Sequence, residues 1–226
     1  MIEFITYTGQ ILPDLLEGTK LTVILSLIAL TIGFVIGLPL AILRISGGVW
    51  TNRLVFGYLT LFRGTPLLVQ LFLVYYGLPQ FGINFSRLAA ACITLGLHSS
   101  AYQAEYFRGA MMAVGSGQML AARSIGMSRS QAIRHIILPQ AFRLVVPAWS
   151  NEMVSMIKYT AVIFLIAVPD LMGQAKMISS RLFTPIPTYI IVAIIYLIMV
   201  GIASYGLHLF SKKLAVPGLT VEFEDH

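Results

Sequence analysis

Two charged residues and a neighbouring amide interrupt an otherwise apolar stretch between Ala141 and Val168. Glu152 follows Asn151, and Lys158 comes six residues later. On a helix, six residues advance about 9 Å and stop about 120° short of two turns, so the two charges do not share a face. A carboxylate and an amide in apolar surroundings can bind an ammonium group. We therefore predict that these three residues line a binding pathway; the alternative is that each charge pairs with another helix.

A few other polar side chains are candidates for solute binding, metal binding or catalysis. Gln70 could hydrogen-bond a solute or, equally, a neighbouring helix. The histidines His98, His135 and His208 lack companions at metal-ligand spacing, so we expect no metal site. The chain also has no GxxxxGK[ST] phosphate loop and no nucleophile–base arrangement. We therefore expect that it is not an enzyme and binds no cofactor of its own.

Residues 116–139 contain the start and stop signals of two short helices. Ser116 can cap the first helix, and Gly126 fits the left-handed position that ends it. Ser128 and Gln131 have the spacing of a capping box, which begins the second helix. The segment therefore predicts a helical hairpin with a tight bend.

The second helix of the hairpin is amphipathic. Its apolar residues form one stripe, made of Ala132, Ile133, Ile136 and Ile137. Arg129 and Arg134 lie off that stripe, and Pro139 predicts a break before the next helix. Such a hairpin either packs beneath a helical bundle as a structural element or forms a docking site for a partner.

The composition identifies the environment in which these elements must fold. Of 226 residues, 15 are Lys or Arg and 9 are Asp or Glu, which makes 11% charged against about 25% in soluble domains. Hydrophobic residues make up 58%, and the mean hydropathy is +0.85. A soluble enzyme domain, a disordered chain and a nucleic-acid-binding module are excluded. The single cysteine, Cys92, excludes an intramolecular disulfide and a cysteine-based metal cluster.

Apolar runs predict an all-α integral membrane protein with five transmembrane helices in a single domain covering residues 1–226. A span needs about 20 mostly apolar residues. The predicted spans are 19–43, 64–79, 88–112, 141–168 and 188–211, with a long loop over 114–140. Five arginines surround that loop: Arg108, Arg123, Arg129, Arg134 and Arg143. Because basic loops stay in the cytoplasm, the N-terminus is predicted outside and the C-terminus inside. The acidic tail 222–226 is expected to be unstructured.

The hairpin resembles the coupling motif of ABC-transporter permease subunits, written E-A-A, three residues, G, nine residues, I-x-L-P. The matching positions, in the same register, are Ala121, Ala122, Gly126, Ile136, Leu138 and Pro139. Leu120 stands where the motif has its glutamate. Further segments resemble polar-amino-acid permeases of the histidine/glutamine/arginine type. They are FRGTPLLVQ at 62–70, AYQAE at 101–105, FRGA at 107–110, ILPQA at 137–141, SNE at 150–152 and VPDL at 168–171.

The resemblance implies a type I ABC importer permease in the plasma (inner) membrane of a prokaryote. Two permease subunits, identical or similar, would form the pathway and move the solute by alternating access. Separate ATP-binding subunits would hold ATP and Mg²⁺ and dock on the coupling hairpin, in contact with the motif residues and Arg123. An extracytoplasmic solute-binding protein would deliver a polar amino acid, and a basic one would suit Glu152. No nucleic-acid partner is expected.

A self-sufficient secondary transporter or channel, with Glu152 as an ion or proton site, is the alternative; it would be favoured by inverted repeats, which the sequence does not show. Gly33 and Gly37 form a GxxxG pair, which allows close helix approach without identifying the partner helix.

Overall fold

The computed structural model describes residues 2–214, and every regular element in that range is helical. The α-helices are α1 Ile2–Ser46, α2 Val49–Gly64, α3 Leu67–Phe72, α4 Arg87–Ala113, α5 Ser116–Ser124, α6 Arg129–Ala132, α7 Leu138–Tyr159, α8 Leu171–Leu182 and α9 Pro185–Leu214. Two π-helical turns cover Leu73–Gly77 and Ile133–Ile137, and two 3-10 segments cover Leu78–Phe81 and Thr160–Ile166. The tail 222–226 lies outside the described residues.

Helix α4 is the central element and is enclosed by α1, α2 and α7. Two glycines let α1 approach it closely. A Cβ atom on Gly33 would lie 2.7 Å from the Ser99 hydroxyl, and one on Gly37 would lie 2.8 Å from the Ser100 carbonyl oxygen. Real Cβ atoms do not come that close, so only glycine fits here. The GxxxG pair therefore serves packing within the chain.

Helix α1 begins well before the predicted span 19–43. Its first half packs against α8 and α9, where Ile11 and Leu15 lie in one apolar cluster with Leu171. The predicted span began only at residue 19 because the segment before it contains charged residues. In the structure those charges do not interrupt the helix: Glu17 is exposed, and Asp14 meets Arg181 at 3.5 Å.

Helix α2 occupies a segment that the sequence analysis treated as a loop. It ends at a bend of 103° before α3, so the predicted span 64–79 falls mostly beyond this bend. Val55 and Leu59 of α2 pack on Leu40 of α1 and on Ala101 and Ala104 of α4. These contacts pack α2 against both α1 and α4.

The described residues contain two helices that are long and apolar enough to cross a membrane, α1 over Thr6–Ser46 and α9 over Pro185–Lys213. Counting two bent helix pairs as one span each raises this number to four. Helix α4 coincides with the predicted span 88–112 within one residue at each end, but its middle is polar and is buried inside the bundle. The number of five spans stays a prediction.

Candidate functional site

The Glu152 carboxylate lies inside the bundle, where only 2% of the residue is exposed. The Ser99 hydroxyl of α4 donates a hydrogen bond of 2.8 Å to its Oε1 atom. The Tyr106 hydroxyl interacts with the same carboxylate. A buried charge is costly unless polar groups surround it, and α4 supplies both of these partners.

A chain of hydrogen bonds continues from this carboxylate to α1. Gln103 Nε2 donates to the Ser99 hydroxyl and to the Leu30 carbonyl oxygen, both at 3.0 Å. Trp149 Nε1 donates to Gln103 Oε1 at 2.9 Å. The network therefore joins α1, α4 and α7 at one level of the bundle. In the sequence, Ser99 and Gln103 are recognisable only as polar residues one helical turn apart, and nothing there pairs them with Glu152.

Asn151 and Lys158 do not join Glu152. Both are exposed, and together with Arg143 and Pro147 they form one strip along α7, which we call the α7 polar stripe. Successive helical residues are 100° apart, which places Glu152 on the side of α7 that faces α4. The three residues predicted as one pathway therefore lie on two different faces of the helix.

A half-buried aromatic cluster lies beside the Glu152 network. The His98 ring is 5.0 Å from the Tyr102 ring and 5.6 Å from the Tyr159 ring, and Tyr106 lies 6.5 Å from Tyr102. The Arg63 guanidinium sits over Tyr102 at 5.3 Å. Sequence analysis missed this cluster as a binding surface, although 98, 102 and 106 recur at helical spacing.

Gln70 holds the bend between α2 and α3. Its buried amide nitrogen donates to the Phe62 carbonyl oxygen at 2.8 Å and to the carbonyl oxygen and hydroxyl of Thr65 at 3.0 and 2.9 Å. Its Oε1 atom lies 3.3 Å from His98 Nδ1. These contacts use the polar atoms that a solute would need, so the geometry favours the structural alternative for Gln70.

The coupling hairpin has the predicted bend. Gly126 adopts φ +88°, and Met127 N–H donates to the Ala122 carbonyl oxygen while Gly126 N–H donates to that of Arg123. This pattern is the Schellman motif. Ser128 is the N-cap of α6 and forms a complete capping box with Gln131, as predicted. The cap predicted at Ser116 is wrong, because Gly115 with φ +88° takes that position and Ser116 is the first helical residue.

The break predicted at Pro139 is also wrong. The chain continues from α6 through the π-helical turn Ile133–Ile137 directly into α7, with Pro139 in the first turn of α7. A proline clashes with the carbonyl four residues earlier in a regular helix. The wider π turn immediately before Pro139 changes that spacing, so the helix continues.

The coupling residues divide between an outer and an inner surface. Ala121 and Gly126 are exposed, together with Leu120 and Ile125, which are 70% and 79% exposed. Ala122 is buried. Ile136 and Leu138 pack against the apolar cluster under α1 and α4. Arg123 donates 3.0 Å to the Met127 carbonyl oxygen and so stabilises the bend.

The helical bundle and the exposed hairpin define a membrane transport subunit. The family model of the binding-protein-dependent transport system inner membrane component matches residues 29–215. The chain belongs to this family. The family predicted from sequence and the all-helical importer-permease fold are thereby confirmed.

Individual relatives agree with this assignment. The chain is 38% identical over 208 residues to the probable amino-acid permease protein YxeN of Bacillus subtilis (strain 168), covering 91% of this chain and 93% of that protein. It is 37% identical over 202 residues to the nopaline transport system permease protein NocM of Agrobacterium fabrum (strain C58 / ATCC 33970), covering 85% and 84%. A solved structure of an amino acid ABC transporter with histidines matches with a TM-score of 0.85 at 39% identity, over 94% of this chain and 97% of that one.

Proposed function

We propose that this chain is the membrane-spanning permease subunit of an ATP-driven importer of polar amino acids, working by alternating access. It has five spans, with the N-terminus outside and the C-terminus in the cytoplasm of a prokaryotic cell. Separate ATP-binding subunits hold ATP and Mg²⁺ and hydrolyse the nucleotide. The observation that carries this proposal is the exposed apolar surface of the coupling hairpin.

That surface has the chemistry of a docking site. Leu120 and Ile125 expose most of their side chains beside the small residues Ala121 and Gly126. Large exposed apolar side chains gain free energy when a partner covers them, and small neighbours let that partner approach closely. An ATP-binding subunit is the partner that the family resemblance implies. Leu120 replaces the glutamate of the motif, so the contact at this position is apolar.

The hairpin is mechanically connected to the Glu152 network. From Arg129 to Tyr159 the chain is one uninterrupted helical segment. Glu152 comes 23 positions after Arg129, which corresponds to about 35 Å of helix. A displacement of the hairpin by ATP binding would therefore be carried along α7 to the network, which joins α7 to α1 and α4.

The aromatic cluster and Glu152 suit a cationic group. The Tyr102 ring already carries the Arg63 guanidinium, and Tyr106 and Tyr159 offer further ring faces for an ammonium or guanidinium group. Glu152 supplies a carboxylate beside them. Relatives are named as permeases for amino acids and for nopaline, and the matching structure is that of a transporter with histidines. These features support a polar amino acid as solute, with a basic one as the narrower proposal.

The α7 polar stripe supports a second permease subunit, identical or similar. Arg143, Asn151 and Lys158 are exposed along α7 in the single chain. Charged side chains within a membrane are costly against lipid and almost always face protein or a water-filled cavity. We infer that this stripe faces the other permease subunit or the pathway between the two. The solute-binding protein docks at the opposite end from the hairpin.

The deciding experiment is ATP hydrolysis in nanodiscs by the chain assembled with its ATP-binding subunits. Amino acids are added one at a time with the solute-binding protein present. We expect stable co-purification and hydrolysis that is stimulated by the transported amino acid. A chain that purifies alone, ignores ATP and moves solute down an ion gradient would overturn the proposal in favour of a secondary transporter with Glu152 as its ion or proton site.

A further inference from the structure

A groove runs along one face of α2. Its α2 lining recurs at helical spacing: Val49, Asn52, Arg53, Phe56, Leu59, Thr60 and Arg63. The groove consists of two adjoining cavities of about 330 and 270 Å³, which share Arg44 of α1 and Phe56. It lies at the same end of the molecule as the coupling hairpin, because Arg129 of α6 donates 2.6 Å to the carbonyl oxygen of Ile45, the neighbour of Arg44.

The groove is strongly basic. Arg44, Arg53 and Arg63 line it, and none of them forms an ion pair with another described residue. Its one acidic lining residue, Glu105, lies in the cavity that Arg44 and Arg63 share and is bound to Arg108 at 2.7 Å. The cavity that Arg44 and Arg53 line together, which is the basic end of the groove, has two cations and no carboxylate among its lining residues.

Aromatic rings hold these two arginines in place. The Arg44 guanidinium lies over the Phe56 ring at 5.3 Å, and that of Arg53 lies over the Trp50 ring at 5.4 Å. A guanidinium that lies over a ring keeps N–H groups on its edge for hydrogen bonds to an anion. Phosphate oxygens match that edge geometrically.

Large apolar side chains surround the basic end. Val49 and Phe56, which line it, are 68% and 58% exposed, and Trp50, which Arg53 covers, is 76% exposed. A soluble phosphate compound would leave this apolar surface exposed to water, whereas the acyl chains of a lipid would cover it. Tryptophan is also enriched where a protein meets the membrane–water boundary. The combination of paired arginines and exposed apolar side chains is complementary to an anionic lipid.

We propose that this groove binds the headgroup of an anionic phospholipid, with the phosphate between Arg44 and Arg53 and the acyl chains along Val49, Trp50 and Phe56. Basic pockets between helices at the membrane surface bind anionic headgroups in this way. The proposal rests on the proposed function in one respect, namely that the hairpin end lies at the cytoplasmic membrane surface. A lipid bound there would fix α2 against the ends of α1 and α4.

The test is lipid binding by the intact complex of the chain with its ATP-binding subunits, measured by native mass spectrometry. The probes are phosphatidylglycerol and phosphatidylcholine. We expect phosphatidylglycerol to bind preferentially, and R44Q/R53Q to weaken its binding about thirtyfold. K212Q/K213Q removes the same charge from exposed positions at the end of α9 and should keep wild-type binding. R44K/R53K keeps the positive charge but loses the two parallel N–H groups that a guanidinium offers to a phosphate. Its affinity for phosphatidylglycerol should lie between those of the wild type and R44Q/R53Q.

Several results would overturn the proposal. These are equal binding of the two lipids by the wild-type complex, undiminished phosphatidylglycerol binding by R44Q/R53Q, an equal loss in K212Q/K213Q, and displacement of the lipid by millimolar inorganic phosphate. A groove covered by the second permease subunit would appear as altered subunit stoichiometry in R44Q/R53Q without a change in lipid binding. If R44Q/R53Q does not fold, the proposal is still tested by the lipid preference of the wild-type complex and by the phosphatidylglycerol binding of R44K/R53K. Amino-acid-stimulated hydrolysis in phosphatidylcholine nanodiscs tests the proposed function separately.

Discussion

Ser99 donates a 2.8 Å hydrogen bond to Glu152 across 53 residues of sequence. The bond joins α4, the most enclosed helix, to α7, the helix that continues into the coupling hairpin. Through Gln103 the same network reaches the Leu30 carbonyl of α1. A change in the position of α7 therefore has to be accommodated at this bond.

Glu152→Gln should lower solute uptake at least about tenfold, because it removes the buried charge while an amide oxygen can still accept from Ser99. Uptake into proteoliposomes containing the assembled transporter measures this. Glu17→Gln removes one negative charge at an exposed position of α1 and serves as the control. Normal uptake by Glu152→Gln would exclude a role for its charge in the pathway.

Gly33→Ala should destabilise the chain by about 1–3 kcal/mol, because the added methyl group would push into the side chains of Ser99 and Gln103. Thermal unfolding in detergent gives the comparison. Gly206→Ala in α9 adds the same atom where nothing lies within 4 Å and should be nearly neutral. Equal midpoints for the two variants would contradict the tight α1–α4 contact.

Gly126→Val should uncouple ATP hydrolysis from transport or prevent assembly. The site has open space around it, so the cost comes from forcing a β-branched residue to φ +88°. Gly126→Asn should impair coupling less than Gly126→Val, since asparagine tolerates the left-handed conformation although it adds a side chain at the docking surface. The ratio of solute moved to ATP hydrolysed is the readout. Wild-type coupling in a folded Gly126→Val complex would count against the docking role of the bend.

Ile125→Asp should weaken association with the ATP-binding subunit about tenfold or more while leaving the stability of the permease within about 0.5 kcal/mol. The side chain is 79% exposed, so the isolated chain loses little, whereas a docked partner would have to bury the new charge. Ile125→Val is the matched variant that should bind normally. Co-purification at increasing salt gives the comparison, and unchanged retention of the partner by Ile125→Asp would place the docking surface elsewhere.

Local features were predictable from sequence because their causes are local. Gly126 and the Ser128–Gln131 capping box are each specified by residues within one turn, and the structure has both. The break predicted at Pro139 was wrong because the π-helical turn before it removes the clash that proline causes in a regular helix. No short sequence pattern predicts such a turn. Helix α2 was missed because Arg53 and Arg63 interrupt its apolar residues, and a rule based on charge-free runs reads that as a loop.

The candidate site was only partly predictable. A charge in an apolar run identifies Glu152, but its partner Ser99 comes from a different helix, and sequence spacing carries no information about that pairing. The same holds for Tyr102 and Tyr159, which belong to α4 and α7 and meet at His98. Asn151 was grouped with Glu152 by adjacency, although neighbours on a helix point in directions 100° apart.

The exposed row of Arg143, Asn151 and Lys158 has a consequence for biosynthesis. If the second permease subunit covers this row, as proposed, a newly inserted copy without it would present these side chains to lipid, where a charge costs about 2.5–3.5 kcal/mol at the bilayer centre. The orphan chain would then be a distinguishable species, open to the proteases that clear unassembled membrane proteins. Subunit stoichiometry in the cell would follow from this single helix face, without any need for matched rates of synthesis.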